Sequence, residues 1–283
     1  MGRHPCGMEK QIITRKSNMK KIFKFSCICL TATVLLSSCN GNTAEKNNAT
    51  DSTSTENTMS EQGYIAMFEP NSLSGWEGDS TYWKMENGVL SGEIREDQEP
   101  LKNNTFLIWN GGDVGDFSLK TKFKISENGN SGVNYRSDRF TELPNALRGY
   151  QADIDGKNNY TGQNYEERKR TTLAYRGQRT EILNPADGVK GESKGNAWTN
   201  MKVLDSVATP EELKTIVKPN DWNDLEIVAE GNKLTHYVNG KIIAEVIDND
   251  PENRKDKGLI GVQVHVGPPM KVEYKDMQIK ILK

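Results

Sequence analysis

A chain of 283 residues carries 37 Lys and Arg against 39 Asp and Glu, a formal charge of −2. That balance excludes the basic excess of a nucleic-acid binder and the acidic excess that steers a basic partner. The front of the chain is atypical and has to be set aside before the rest is interpreted.

From Met19 a short basic start leads into an apolar run, Ile28 to Leu36, and then Leu36-Ser37-Ser38-Cys39. The run is too short to be a permanent membrane span. It reads as an export signal whose end resembles the lipobox of bacterial lipoproteins, which predicts cleavage before Cys39 and acylation of its thiol. Residues 1–18 add no export logic, so Met19 is the expected true start. Cys6, Cys27, Cys29 and Cys39 are the only cysteines, so the mature chain has no disulfide, no thiol nucleophile and no cysteine-based zinc site. Residues 40–62 are Asn, Ser, Thr, Glu and Gly with almost nothing apolar, the composition of a disordered tether. The expected protein is therefore exported and lipid-anchored through Cys39. Few acids follow Asn40, which places it on the outer membrane facing the periplasm.

The remaining residues, 63–283, read as strands punctuated by Gly, Asn and Asp. Asn87-Gly88 and Asn239-Gly240 are hairpin signals, and Gly231-Asn232 joins two further runs. In residues 116–125, Phe117, Leu119, Thr121, Phe123 and Ile125 alternate inward against Ser118, Lys120, Lys122 and Lys124. Residues 156–200 are rich in Asn, Gly, Tyr and charge and are expected to loop over one end, bringing Tyr165, Glu166, Glu167 or Arg168 near any groove. One helix is expected after Thr209 as cap, with Pro210 in its first turn. The sum is an all-β, two-sheet antiparallel jelly-roll sandwich with one short helix.

Three segments carry an outer face unlike the lysine-faced strand. Asn134, Arg136 and Asp138 alternate against Val133 and Tyr135. Gln151, Asp153 and Asp155 alternate against Tyr150, Ala152 and Ile154. Gln263 and His265 alternate against Val262, Val264 and Val266, just before Gly267-Pro268-Pro269. These are either ordinary polar faces or the floor of one groove. Of three histidines His4 precedes the leader, and His236 is in phase with Leu234 and Val238, which favours a core position. Phosphate-loop, His-Glu-x-x-His and Gly-x-Ser-x-Gly motifs are absent.

Residues 131–137, 149–153, 222–224, 236–240 and above all 261–270 (Gly-Val-Gln-Val-His-Val-Gly-Pro-Pro-Met) resemble the 3-keto-disaccharide hydrolase family, over nearly all of 63–283. The resemblance implies a concanavalin A-like fold of the lectin/glucanase type. It also implies cleavage of glycosides first oxidised at C3 by a separate sugar 3-dehydrogenase. A ketone at C3 acidifies the C2 proton, so a base can form an enolate that expels the C1 substituent before water adds. Chemistry applied to the matching positions makes His265, Asp153 or Glu166 the base and Arg136 the oxyanion partner. Gln151, Gln263, Asn134, Tyr165 and His236 are then substrate-binding candidates. A divalent metal on His265 and His236 is an alternative electrophile. Two rival readings stay open: a non-catalytic carbohydrate-binding module, with Trp76, Trp83, Trp109, Trp198 or Trp222 as platforms, and an ordinary two-carboxylate glycosidase.

Overall fold

A computed structural model describes residues 63–283. The export signal, Cys39 and the 40–62 tether lie outside the described residues. Two sheets pack face to face. The nine-stranded sheet has the spatial order Ser193–Lys194, Ala197–Trp198, Thr171–Ala174, Asn164–Glu167, Leu147–Asp155, Asn130–Arg139, Leu259–Val264, Thr105–Trp109, Trp76–Glu77. The ten-stranded sheet runs Met201–Ser206, Gln178–Ile182, Lys241–Asp248, Lys233–Val238, Asn223–Glu230, Phe117–Ile125, Met270–Ile281, Val89–Ile94, Trp83–Glu86, and Ile65–Ala66 pairs with its Met270–Ile281 strand. The sandwich is the expected one, but both sheets are mixed: Gln178–Ile182 runs parallel to Lys241–Asp248, and Thr171–Ala174 parallel to Ala197–Trp198.

Alternation sets the core. Phe117, Leu119, Thr121, Phe123 and Ile125 are buried, and Val133, Tyr135, Tyr150, Ala152, Ile154, Val262 and Val264 meet them from the facing sheet. Each large apolar side chain removed from water contributes about 1.5–3 kcal/mol. The turns form where Asn-Gly pairs allow positive φ: Asn87 and Gly88 at 51° and 75°, Asn239 and Gly240 at 48° and 74°. The helix is Pro210–Ile216, closed by a capping box in which Glu212 donates its N–H to the Thr209 hydroxyl and accepts the Thr209 N–H on its carboxylate. It anchors on Leu213, which is fully buried.

Residues 156–200 depart from expectation. They do not form one loop over the end but supply five short strands that widen both sheets, four extending the nine-stranded sheet beyond Leu147–Asp155 and one beside Lys241–Asp248. The polar composition that reads as loop belongs to strands of two to five residues and the turns between them.

Candidate functional site

The outer face of the nine-stranded sheet holds a cleft of about 440 Å³. Its floor comes from alternation in adjacent strands. Gln151 and Asp153 project from Leu147–Asp155, and Tyr165 and Glu167 from Asn164–Glu167, with Gln151 opposite Tyr165 in register. His265 follows the Leu259–Val264 strand, while Asn104, Gln163 and Arg168 complete the wall. Gly132 lies opposite Asp153. A Cβ there would fall 2.6 Å from the Gln151 side chain, so the glycine leaves the space through which that amide reaches Asp153.

Asp153 is clamped from both sides. Gln151 Nε2 donates to Oδ1 and Gln163 Nε2 to Oδ2, each at 2.6 Å. Burial nevertheless pushes its carboxyl up to about 7, because two neutral amides offset only part of the lost hydration, and the charges of Glu167 and Asp155 add to the rise. Glu167 is buried and also raised by burial, against the pull of Asn104, Arg168, His265 and Gln263. Asn104 Nδ2 donates to its Oε1 at 3.2 Å and Gln263 Nε2 to its Oε2 at 3.4 Å. The Arg168 guanidinium stands 3.6 Å from Glu167 and lies over the Phe140 ring. His265 Nδ1 is 2.7 Å from the Val266 carbonyl, which can only accept, so Nδ1 carries the proton and Nε2 is left as the acceptor of the neutral ring. Burial pushes the Tyr165 hydroxyl up to about 12.

Of the candidates read from sequence, His265, Asp153, Gln151 and Tyr165 line this cleft, and Gln263 reaches its Glu167. Asn134 pairs with Gln151 and Gly261 in the same sheet. It is fully buried, and its side-chain amide has no partner among the described residues. Three candidates are not brought there.

Arg136 sits at φ 44° in a bulge between Tyr135 and Asp138, which breaks the two-residue alternation. Its guanidinium is spent on Asp116 at 2.7 Å and on the carbonyls of Gly115, Gly231 and Lys255. Glu166 points into the sandwich because its neighbours Tyr165 and Glu167 point out, and it pairs with the buried Arg170. His236 lies between the sheets, accepting from the Tyr135 hydroxyl at 2.9 Å and donating from Nδ1 to the Gly162 carbonyl at 3.2 Å. Burial pushes it down to about 4. The nine-stranded sheet therefore separates His236 from His265, so the two do not converge on a metal. Among the described residues no cluster of three His, Cys, Asp or Glu side chains has metal-holding geometry.

Glu167 and Arg168 are the site residues that the sequence named only as part of a group of four. Gln163 and Asn104 were missed, being loop amides with no periodicity to expose them. The tryptophans do not form the platforms of a binding module. Trp76 and Trp83 are core, Trp109 and Trp198 pack against it, and Trp222 lies under the ammonium groups of Lys124 and Lys275.

No curated protein matches the chain in sequence. Among solved structures, a candidate glycosyl hydrolase from Parabacteroides distasonis ATCC 8503 is 18% identical and superposes with a TM-score of 0.50, covering 78% of this chain and 94% of its own. The carbohydrate-binding module CBM66 from Bacillus subtilis is 16% identical (TM-score 0.43; 73% and 95% covered), and the Bacillus licheniformis β-glucanase 10% identical (TM-score 0.40; 78% and 97% covered). The first shares the sandwich fold with this chain. A family profile matches residues 63–280, the whole of both sheets apart from the end of the last strand. The chain belongs to the 3-keto-alpha-glucoside-1,2-lyase-like domain family, a family of carbohydrate-acting proteins.

Proposed function

We propose that the protein cleaves glycosides already oxidised at C3, by removing the C2 proton and eliminating the C1 substituent. The observation that carries this is Asp153, a cleft carboxylate whose proton affinity is raised to about 7 while both its oxygens are held in place. Such a group is better matched to a carbon acid α to a ketone than an ordinary carboxylate is. Asp153 takes the C2 proton, and the electron pair left on C2 delocalises onto the C3 oxygen facing the Arg168 guanidinium. Collapse of that enolate forms the C1–C2 double bond and breaks the C1–O bond. The leaving oxygen takes a proton from Glu167, whose proton affinity burial raises. Water then adds at C1, returning its proton to Glu167 while C2 recovers its proton from Asp153, and the sum is hydrolysis. His265 Nε2 is available to a sugar hydroxyl.

The amide floor supports a polyol ligand. Gln151 and Gln163 line the cleft with side-chain oxygens that have no partner among the described residues, and hydroxyl donors would satisfy them. The C3 ketone requires a separate sugar 3-dehydrogenase upstream. The tether and lipidated Cys39 would hold this reaction at the inner face of the outer membrane.

A second reading has its own support. Asp153 and Glu167 share the cleft, as the two carboxylates of an ordinary glycosidase do. Incubating the protein with a 3-keto-glucoside and with its unoxidised parent, each with and without a chelator, decides. Cleavage of the keto sugar alone, unaffected by the chelator, is expected. Cleavage of the parent establishes the glycosidase, and chelator-sensitive cleavage returns a metal to the mechanism.

A further inference from the structure

Tyr160 has half of its surface (50%) open to solvent and lines the cleft, as do Arg168 and Asn196. Among the described residues its ring contacts no other ring and its hydroxyl has no hydrogen-bond partner. The backbone beneath it is fixed. The buried Asp155 carboxylate accepts the N–H groups of Asn159, Tyr160 and Thr161 at 2.9, 2.7 and 2.9 Å. Arg176 Nη1 donates to Asn158 Oδ1 at 2.9 Å from the other side, and the Tyr160 carbonyl accepts from Gln163 N, also at 2.9 Å. Gln163 is the residue that clamps Asp153. One short segment therefore carries both the support of the reacting carboxylate and an aromatic ring with no task inside the protein. Because the backbone that carries the ring is fixed, less ordering entropy is lost when a ligand meets it.

We propose that Tyr160 is the platform for the departing half of the substrate, which is itself a sugar ring. Its apolar C–H face stacks on Tyr160 while its hydroxyls meet the Asn196 amide, which lines the same cleft. This rests on reading the cleft as the place of glycoside cleavage, with the reacting ring at the Asp153 floor and the remainder at the rim. The Asn196 amide in the same lining favours a hydroxylated pyranose over an alkyl group, which would leave it unanswered.

The test compares kcat/KM on a 3-keto-disaccharide and on methyl 3-keto-glucoside for the parent, Tyr160→Ala and Tyr160→Phe. Tyr160→Ala is expected to lose about tenfold more on the disaccharide than on the methyl glycoside, the equivalent of one aromatic contact of ~1.4 kcal/mol. The loss should lie in KM, and Tyr160→Phe should keep the parent's ratio. Equal losses on the two substrates, or none, overturn the platform. If the parent turns over neither substrate, the cleavage reading fails by itself and calorimetric titration of the same two ligands decides Tyr160. Disaccharide binding weakened about tenfold in Tyr160→Ala supports it. An unchanged ratio, or no disaccharide binding by the parent, overturns it.

Discussion

A carboxylate that has lost most of its water, and is answered by two neutral amides, is half-ionised only near neutrality. If Asp153 is the base, kcat/KM on a 3-keto-glucoside rises with pH through about 7, and Asp153→Asn lowers kcat by about 10²–10⁴-fold. The same residue costs stability. Its folded value lies above the ordinary 3.8, so the folded chain holds the proton more tightly than the unfolded one. The contribution is intact below about pH 4 and is lost as pH rises through about 7. Asp153→Asn should therefore be more stable than the parent at pH 8, by about 1–3 kcal/mol after allowance for solvent at the cleft mouth, and indistinguishable at pH 4. Urea unfolding at the two values checks this. One glutamine amide must rotate to face the new amide, and both have an unused oxygen with which to do so. The sequence already held the parity argument that separates Glu166 from Glu167. In a strand, Tyr165 and Glu166 cannot share a face, so choosing Tyr165 for the cleft entails Glu167.

Individual strands were legible where alternation was unbroken, as in Phe117–Ile125 and Leu259–Val264, and misleading where it was broken. Arg136 looked outward only while Asn130–Arg139 was taken as regular, and nothing in Tyr-Arg-Ser announces a bulge. The phase of His236 with Leu234 and Val238 pointed inward, where the ring is buried, although the resemblance had also made it a substrate-binding and metal candidate. Its burial has a pH consequence. The folded value of about 4 lies below the ordinary 6.5, so its contribution is intact above about pH 6.5 and is lost as pH falls toward 4, up to about 3 kcal/mol. Unfolding followed between those values should show the loss in the parent and less of it in His236→Gln. The buried pairing between strands is sharper still. Arg170 is 1% exposed and meets Glu166, Asp248 and Asp250, all with fully buried side chains. Arg170→Met removes the buried cation these carboxylates share, leaving Glu166 only Lys169 at 3.4 Å and Asp248 and Asp250 only neutral donors, and should cost about 3–5 kcal/mol, read as a lowered urea midpoint.

At the scale of the molecule the two-sheet plan followed from many short strands and one capped helix. The two parallel pairings did not, because no periodicity records which edge a strand joins. The long polar segment misled for the same reason: an edge strand such as Ser193–Lys194 is exposed and so carries the composition of a loop. The anchor belongs to this scale. Cys39→Ser expressed in a Gram-negative host should move the protein from the membrane pellet to the soluble fraction, and a protein still in the pellet would show that the thiol is not the attachment point. Ile65 pairs with Ile279 and Ala66 with Gln278, so the first described strand is zipped against the last. The folded chain is nearly a closed ring whose order of synthesis is separable from its architecture. A linker of roughly five residues would join Lys283 to Gly63, and new ends cut in the exposed stretch around Val189 would give a circular permutant with every strand pairing retained.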